Sequence, residues 1–318
     1  MRNMIVEKIE QFALSKKDHP KAFFSKIGIV GCGKEGSMLA TLAAINGIEV
    51  VFMEPTEEKI HNAYARIESR LDERVDNWGL TPGEKRAILA RVKGTVTYET
   101  FKGCDFVIES IRYDDNTGER STNLRREVFL NLENVLSKDA IIATNISTPI
   151  ITELATELKH KDRCIGVHVM SNVPDARILE VVKSLYTSDD VYTKVCHFAH
   201  LIKHEVILVA ESAGLVSMRI FFVMLNEACD MLMEGVSTVE DIDRVMRIGF
   251  GNRQGVFRTA DQMGIEKIVK LMANLYEEFG AIKYKPSPIL LRLYRAKQFG
   301  VSRKRGFYSY DENGEIVK

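Results

Sequence analysis

Ser25 to Pro55 constrains the chain most, because it holds an apolar strand, a glycine turn, a helix, a second strand and a terminal acid in that order. Lys26-Ile27-Gly28-Ile29-Val30 is short, apolar and rich in β-branched residues, and it runs into Gly31-Cys32-Gly33-Lys34-Glu35-Gly36, a G-x-G-x-x-G pattern. The glycines allow a sharp turn and a close backbone approach by a pyrophosphate, while the following helix offers free N–H groups and the positive end of its dipole. Ser37 to Asn46 is helix-forming with an apolar face, Gly47 breaks it, and Glu49-Val50-Val51-Phe52-Met53 is a second buried-type strand ending at Glu54. An acid about twenty residues past the first glycine can accept hydrogen bonds from the adenine-side ribose hydroxyls and would repel a 2′-phosphate. No arginine follows it directly, so the unit predicts NAD rather than NADP as cofactor.

The chain has 318 residues, 44 basic against 44 acidic side chains and 45% hydrophobic residues, enough for a large core and two domains. Zero net charge gives no electrostatic case for nucleic acid or a membrane surface as partner. Cys32, Cys104, Cys164, Cys196 and Cys229 are scattered and odd in number, without a C-x-x-C pair, which fits a reducing compartment and argues against a disulfide framework or zinc ribbon. Met1 to Phe24 alternates charged and apolar residues, so no cleavable signal is visible. The most apolar long stretch, Ala213 to Met233, carries Arg219, Asn226, Glu227 and Asp230 and reads as a buried helix rather than a span. A soluble cytoplasmic protein is expected.

Residues 1–24 read as a helical extension, with Ile5, Ile9, Phe12 and Ala13 on one face and Asp18-His19-Pro20 as its stop. Strand candidates then recur at Thr95–Tyr98, Phe106–Glu109, Ala140–Thr144, Cys164–His168 and Val206–Val209, most separated by helical segments. That alternation predicts an α/β, Rossmann-type, doubly wound and mostly parallel sheet over residues 25–210. Beyond Ala210 the strand signals stop, and Gly214–Gly235, Thr238–Ile248, Gly264–Phe279 and Ser287–Phe299 predict an all-helical C-terminal domain over 211–318 for substrate binding and dimerisation. Arg66, Arg70 and Arg74 share a helix face that a phosphate-rich ligand tail could use; Glu68, Asp72, Glu73 and Asp76 are interleaved, so the plainer reading is a solvated face. His197, His200 and His204 lie at helical spacing, but no acid or cysteine completes a metal site and none is expected.

At this level the chain resembles the 3-hydroxyacyl-CoA dehydrogenase family from Lys26 to Tyr310. Ala143-Thr144-Asn145-Ile146-Ser147-Thr148 resembles the family's A-T-N-T-S-S turn, and Gly166-Val167-His168 followed by Leu179-Glu180-Val181-Val182 resembles its G-x-H and L-V-E-V-V segments. Gly235-Val236 through Asp241-Ile242-Asp243, Gly249-Phe250-Gly251 and Gly306-Phe307-Tyr308 resemble its second-domain landmarks. The resemblance implies NAD-linked oxidation of a 3-hydroxyacyl thioester, or the reverse, within fatty acid metabolism. His168 would be the general base, Glu180 its orienting carboxylate, and Ser147 a hydrogen-bond partner of the reacting oxygen. The chemistry agrees with those roles: an alcohol becomes a carbonyl only if its proton is taken as hydride leaves, and a carboxylate on the far ring nitrogen fixes the imidazole tautomer. Asn145 would join Gly31, Gly33, Lys34, Glu35, Gly36 and Glu54 on the cofactor side. Glu109, also a glutamate in the family, would bear on cofactor or proton movement or simply cap the next turn.

Several positions depart from the family pattern. His168 is followed by Val169-Met170-Ser171-Asn172 rather than F-F-N-P, and Met218 stands where P-G-F-x-x-N-R carries an asparagine that helps hold the substrate carbonyl. A thioether cannot donate a hydrogen bond. Ser110 to Asn123 is longer and more polar than the usual connection. Lys34-Glu35 places charges where Thr-Met is common: Lys34 can assist a pyrophosphate, and Glu35 is favoured by the helix dipole yet repelled by phosphate if it points inward. These changes predict a dehydrogenase for a branched, polar or carrier-bound 3-hydroxyacyl group or a smaller hydroxy acid, with Ser147 and Ser171 or Asn172 replacing the lost donor. The competing expectation is a non-catalytic NAD-binding protein. The Phe221–Met233 apolar run, with the family's habit of pairing through this domain, predicts a homodimer.

Overall fold

The computed structural model describes residues 24–111, 121–145, 151–169 and 177–317. The expected N-terminal extension therefore lies outside the described residues, apart from Phe24. The first part of the chain runs β1 (Lys26–Val30), α1 (Lys34–Ile45), β2 (Glu49–Met53), α2 (Glu57–Asp76), α3 (Pro82–Leu89), β3 (Val92–Thr95) and β4 (Phe106–Glu109). It continues through α4 (Thr122–Val135), β5 (Ile141–Thr144), α5 (Ile151–Ala155), β6 (Cys164–Val169), β7 (Ile178–Lys183), α6 (Asp189–Leu201) and β8 (Glu205–Ala210). One eight-stranded sheet results, in the order β3-β2-β1-β4-β5-β6-β7-β8. Neighbouring strands are parallel except β6 and β7, which run antiparallel.

A parallel sheet needs both faces covered, and the sequence supplies two apolar sets on alternate positions. Ile27, Ile29, Phe52, Phe106 and Phe198 belong to the core on one face; Val30, Val107, Ile142, Phe129 and Leu132 belong to the other. The chain leaves β1 toward β2 on one side and later fills β4 on the other side, so the loops after β1 and β4 flank a crevice at the strands' carboxyl ends.

The second part is helical: α7 (Leu215–Met233), α8 (Val239–Ile248), α9 (Val256–Met263), α10 (Ile265–Phe279) and α11 (Pro288–Arg295), closed by the two-stranded pair β9 (Ser309–Tyr310) and β10 (Ile316–Val317). It has its own core, including Phe222, Leu225, Phe257, Leu271 and Leu275. Buried Asp261 ties the closing segment down by accepting the N–H groups of Phe307 and Tyr308 and the Tyr310 hydroxyl.

The closing β9–β10 pair lies beyond Ala210, where no strand is expected, and four further elements differ from the sequence expectation. The strand expected over Thr95–Tyr98 lies at Val92–Thr95, because Val92 pairs with Val50 and Gly94 lets the edge strand close onto α2; a Cβ there would sit 2.5 Å from Ile60. Ile178–Lys183 was not expected as a strand, since Glu180 interrupts an otherwise apolar run; here it is β7, with Glu180 opposite His168. Helix α9 is eight residues long and is not among the expected helices; its amino end is held by Asp243, which accepts the N–H groups of Phe257 and Arg258. The last helix begins at Pro288 and ends at Arg295, four residues short of Phe299.

Candidate active site

Three glycines shape the turn at the head of α1. Gly31 has φ +88°, in the left-handed region, and its N–H donates to the Met53 carbonyl at 2.9 Å. A Cβ on Gly36 would lie 2.2 Å from the Gly31 carbonyl oxygen, so the third glycine permits the turn to pack on its own helix. Gly33 is the N-cap and supplies no side-chain cap, and a Cβ built there meets nothing within 4 Å. The amino end of α1 thus faces open space, the cradle a pyrophosphate requires. Glu54, just past β2, accepts the Cys32 N–H at 2.5 Å, which sets the acid against the turn where the ribose of a dinucleotide would lie. Burial pushes the Cys32 thiol up, and Glu54 adds to the shift, so this cysteine is a protonated packing group. Arg70 reaches from α2 to the Lys34 carbonyl at 3.1 Å, whereas Arg66 and Arg74 are exposed.

Glu109 ends β4 and is 1% exposed. Its carboxylate accepts the Ile111 N–H at 2.6 Å and the Thr144 hydroxyl at 2.6 Å, with Arg125 Nε 3.5 Å away. Of the two readings of Glu109, these contacts suit the one in which it caps the turn beyond its strand. Asn145, one position past β5, donates to Ser110 Oγ at 3.2 Å and to Glu35 at 3.4 Å, and its oxygen accepts the Val169 N–H at 3.4 Å. It therefore links the ends of β4, β5 and β6 to α1.

His168 lies near the carboxyl end of β6 and pairs across the antiparallel register with Glu180. His168 Nδ1 is 2.7 Å from Glu180 Oε2. Glu180 is buried and also accepts the Ser217 hydroxyl at 2.7 Å on Oε2, and the N–H groups of Val216 and Ser217 at 3.1 and 2.9 Å on Oε1. Burial alone would push the Glu180 carboxyl up; the His168 and Ser217 hydrogen bonds outweigh it and hold the group below the usual carboxylate value. An ionised carboxylate only accepts, so the ring proton rests on Nδ1 and Nε2 stays free to take another.

Ser217 escaped the sequence reading. Its only local cue is its place in the first turn of α7, and its contact with Glu180 depends on how the helical domain sits on the sheet. Its neighbour Met218 is 7% exposed and belongs to the core of the helical domain. Ser147, Ser171 and Asn172 lie outside the described residues, as do residues 112–120 of the long polar connection. His204 falls beyond α6, with Nδ1 2.9 Å from the Ile202 carbonyl oxygen. Among the described residues no group of three or more His, Cys, Asp or Glu side chains is placed to hold a metal ion, and no helix is long and apolar enough to cross a membrane.

A doubly wound sheet, a glycine turn open at a helix amino end and an orienting carboxylate on a strand-end histidine define an NAD-dependent oxidoreductase. Comparison with known proteins narrows the class. The family model for the 3-hydroxyacyl-CoA dehydrogenase NAD binding domain matches residues 26–212, and that for the C-terminal domain matches 214–310. The chain is 32% identical over 287 residues to 3-hydroxybutyryl-CoA dehydrogenase of Clostridioides difficile, covering 90% of this chain and 100% of that protein. It is 30% identical to the Bradyrhizobium diazoefficiens enzyme of the same name, covering 91% and 96%. The solved (S)-3-hydroxybutyryl-CoA dehydrogenase from Ralstonia eutropha superposes with a TM-score of 0.82 at 31% identity, covering 91% of this chain and 100% of that one. The chain belongs to the 3-hydroxyacyl-CoA dehydrogenase family.

Proposed function

We propose that the protein interconverts a 3-hydroxyacyl thioester and its 3-oxoacyl form with NAD, using His168 as the proton acceptor. The observation that carries this reading is the 2.7 Å His168–Glu180 contact at the strand ends where ligands meet an open α/β sheet. Gly31, Gly33 and Gly36 would leave room for the pyrophosphate, and Glu54 would accept the adenine-side ribose hydroxyls. Asn145, with Lys34 and Glu109, would form or brace the cofactor side, where Glu35 stands as a carboxylate turned to Asn145 and Lys267. When bound, NAD supplies the acceptor for the hydride leaving C3. His168 takes the hydroxyl proton on Nε2 and returns it in the reverse direction, while Glu180 keeps the Nδ1 proton in place and stabilises the charge that forms on the ring. Ser147 would donate to the reacting oxygen, and Ser171 or Asn172 would supply the donor that Met218 cannot.

The substrate assignment follows from the departures after His168, at Met218 and along Ser110–Asn123: a branched, polar or carrier-bound 3-hydroxyacyl group, or a smaller hydroxy acid, rather than a plain straight-chain acyl-CoA. The test is NADH formation from NAD with a panel of 3-hydroxyacyl thioesters and hydroxy acids, for wild type and His168→Ala. Turnover of at least one substrate and a loss of about 10²–10⁴ in the variant are expected. Binding of NAD without turnover on any of them would favour a non-catalytic dinucleotide-binding protein. Family-like rates on 3-hydroxybutyryl-CoA would refute the altered specificity.

We also read the protein as a homodimer. Val216, Ile220, Val223 and Met224 are exposed on α7, and Val216, Ile220 and Met224 border an apolar groove of about 480 Å³ with Ile207 on β8. An apolar helix face of this kind marks an interaction surface. A cytoplasmic setting is the reading the scattered cysteines favour, and cell fractionation tests it.

A further inference from the structure

Glu35 and Lys267 are 232 residues apart, yet Lys267 Nζ lies 2.9 Å from Glu35 Oε1. Glu35 stands on the first turn of α1, inside the G-x-G-x-x-G segment, and Lys267 stands on the first turn of α10 in the helical domain. Both side chains are largely shielded, at 13% exposure for Lys267 and 25% for Glu35. The second Glu35 oxygen accepts from Asn145 Nδ2 at 3.4 Å, so the pair lies where the ends of α1 and β5 meet the helical domain. A carboxylate at this point conflicts with an anion at the same helix end. The dipole offers roughly half a positive charge, and a pyrophosphate alone exceeds it. Glu35 adds a further negative charge, in a partly buried place where water and salt screen it poorly.

We infer that Lys267 is a positioning residue of the dinucleotide site: it neutralises Glu35 and holds its carboxylate toward the helical domain, so that the glycine turn can accept the cofactor's phosphates. Cofactor affinity is thereby tied to the seating of the helical domain on the sheet edge. The inference rests on the dinucleotide reading given above.

Charge neutralisation and a plain inter-domain tether predict different patterns. A tether is lost equally when either partner is removed. Neutralisation is asymmetric: K267M takes the lysine's positive charge from the carboxylate beside the phosphates, whereas E35L leaves a cation that only helps. The experiment is direct titration of the full chain with NADH, followed by fluorescence, for wild type, K267M, E35L and the double variant, with thermal melts as folding controls. We expect K267M to weaken NADH binding by on the order of tenfold at low salt. E35L is expected to bind as tightly as wild type or tighter, and E35L/K267M to recover most of the loss. Because the pair is partly buried, the K267M deficit should shrink only in part as ionic strength rises. Equal weakening by K267M and E35L, or a K267M titration that overlays wild type, overturns the inference. If K267M does not fold, E35L decides alone: weaker binding overturns it, and equal or tighter binding supports it. A wild-type chain that binds no dinucleotide would overturn the parent reading, an outcome distinct from a binding wild type that K267M matches.

Discussion

Replacing Glu180 by glutamine keeps the shape of the side chain and changes what it can do at each oxygen. In the wild type, Oε1 accepts the backbone N–H groups of Val216 and Ser217, and Oε2 accepts the Ser217 hydroxyl and His168 Nδ1. Backbone donors cannot reverse, so the glutamine oxygen stays with them and its NH₂ group takes the place of Oε2. That amide donates to His168 Nδ1, which forces the ring proton onto Nε2, the nitrogen that must be bare to accept the substrate's proton. A wrong tautomer in a histidine–carboxylate pair lowers kcat by on the order of 10³–10⁴, or about 4–5.5 kcal/mol of barrier. The fold should lose far less. The two backbone bonds survive, and the missing negative charge at the amino end of α7 costs about 0.5–2 kcal/mol. At about 2–4 °C per kcal/mol, the melting temperature should fall by roughly 1–8 °C. Steady-state NADH formation on whichever substrate the wild type turns over, with NADH titration and a thermal melt on the same preparation, separates the two effects. An E180Q enzyme within about tenfold of wild-type kcat would refute the tautomer argument. So would a loss that appears only as weaker dinucleotide binding.

The same carboxylate gives the acid limb of stability a sign. Its folded value is held below the ordinary 4.5, so its contribution is present in full above 4.5 and is lost as pH falls through the lower, folded value. Buried Asp243 and Asp261 are shifted the other way, chiefly by desolvation, and favour the fold most when protonated, so they partly offset the loss. Melting temperature should therefore fall more steeply below 4.5 for wild type than for E180Q, and parallel curves would remove Glu180 from the account. For the dimer, sedimentation velocity should give twice the chain mass, and Ile220→Asp, on the exposed face of α7, should shift it toward monomer; a wild-type monomer at micromolar concentration would refute the pairing.

The parts of this site that could be read from the sequence are those whose chemistry is local. Gly31 needs a positive φ, Gly36 needs to lack a Cβ, and Glu54 directly follows the next strand, all within one short unit whose order of elements carries the meaning. His168 and Glu180 stood out only through family resemblance, since the bond between them is made by an antiparallel register in a strand that the apolar pattern hid. Ser217 and Lys267 had no such signal. Each acts through a carboxylate that belongs to another element, and neither spacing nor composition announces a contact made by docking one domain on another.

That docking has a consequence for how the two halves of the reaction are joined. Glu180 belongs to the sheet, yet three of its four hydrogen-bond donors come from the first turn of α7, and the fourth is His168. The group that fixes the histidine tautomer is thus also the cap of the helix that opens the second domain. At the cofactor end the relation recurs: Glu35 on α1 is met by Lys267 from α10. Each end of the crevice therefore holds a carboxylate from the sheet domain, satisfied by donors from the helical one. Separating the domains would take Lys267 from Glu35 and leave Glu180 with His168, so the proposed proton acceptor and the proposed phosphate cradle depend on the same docked arrangement.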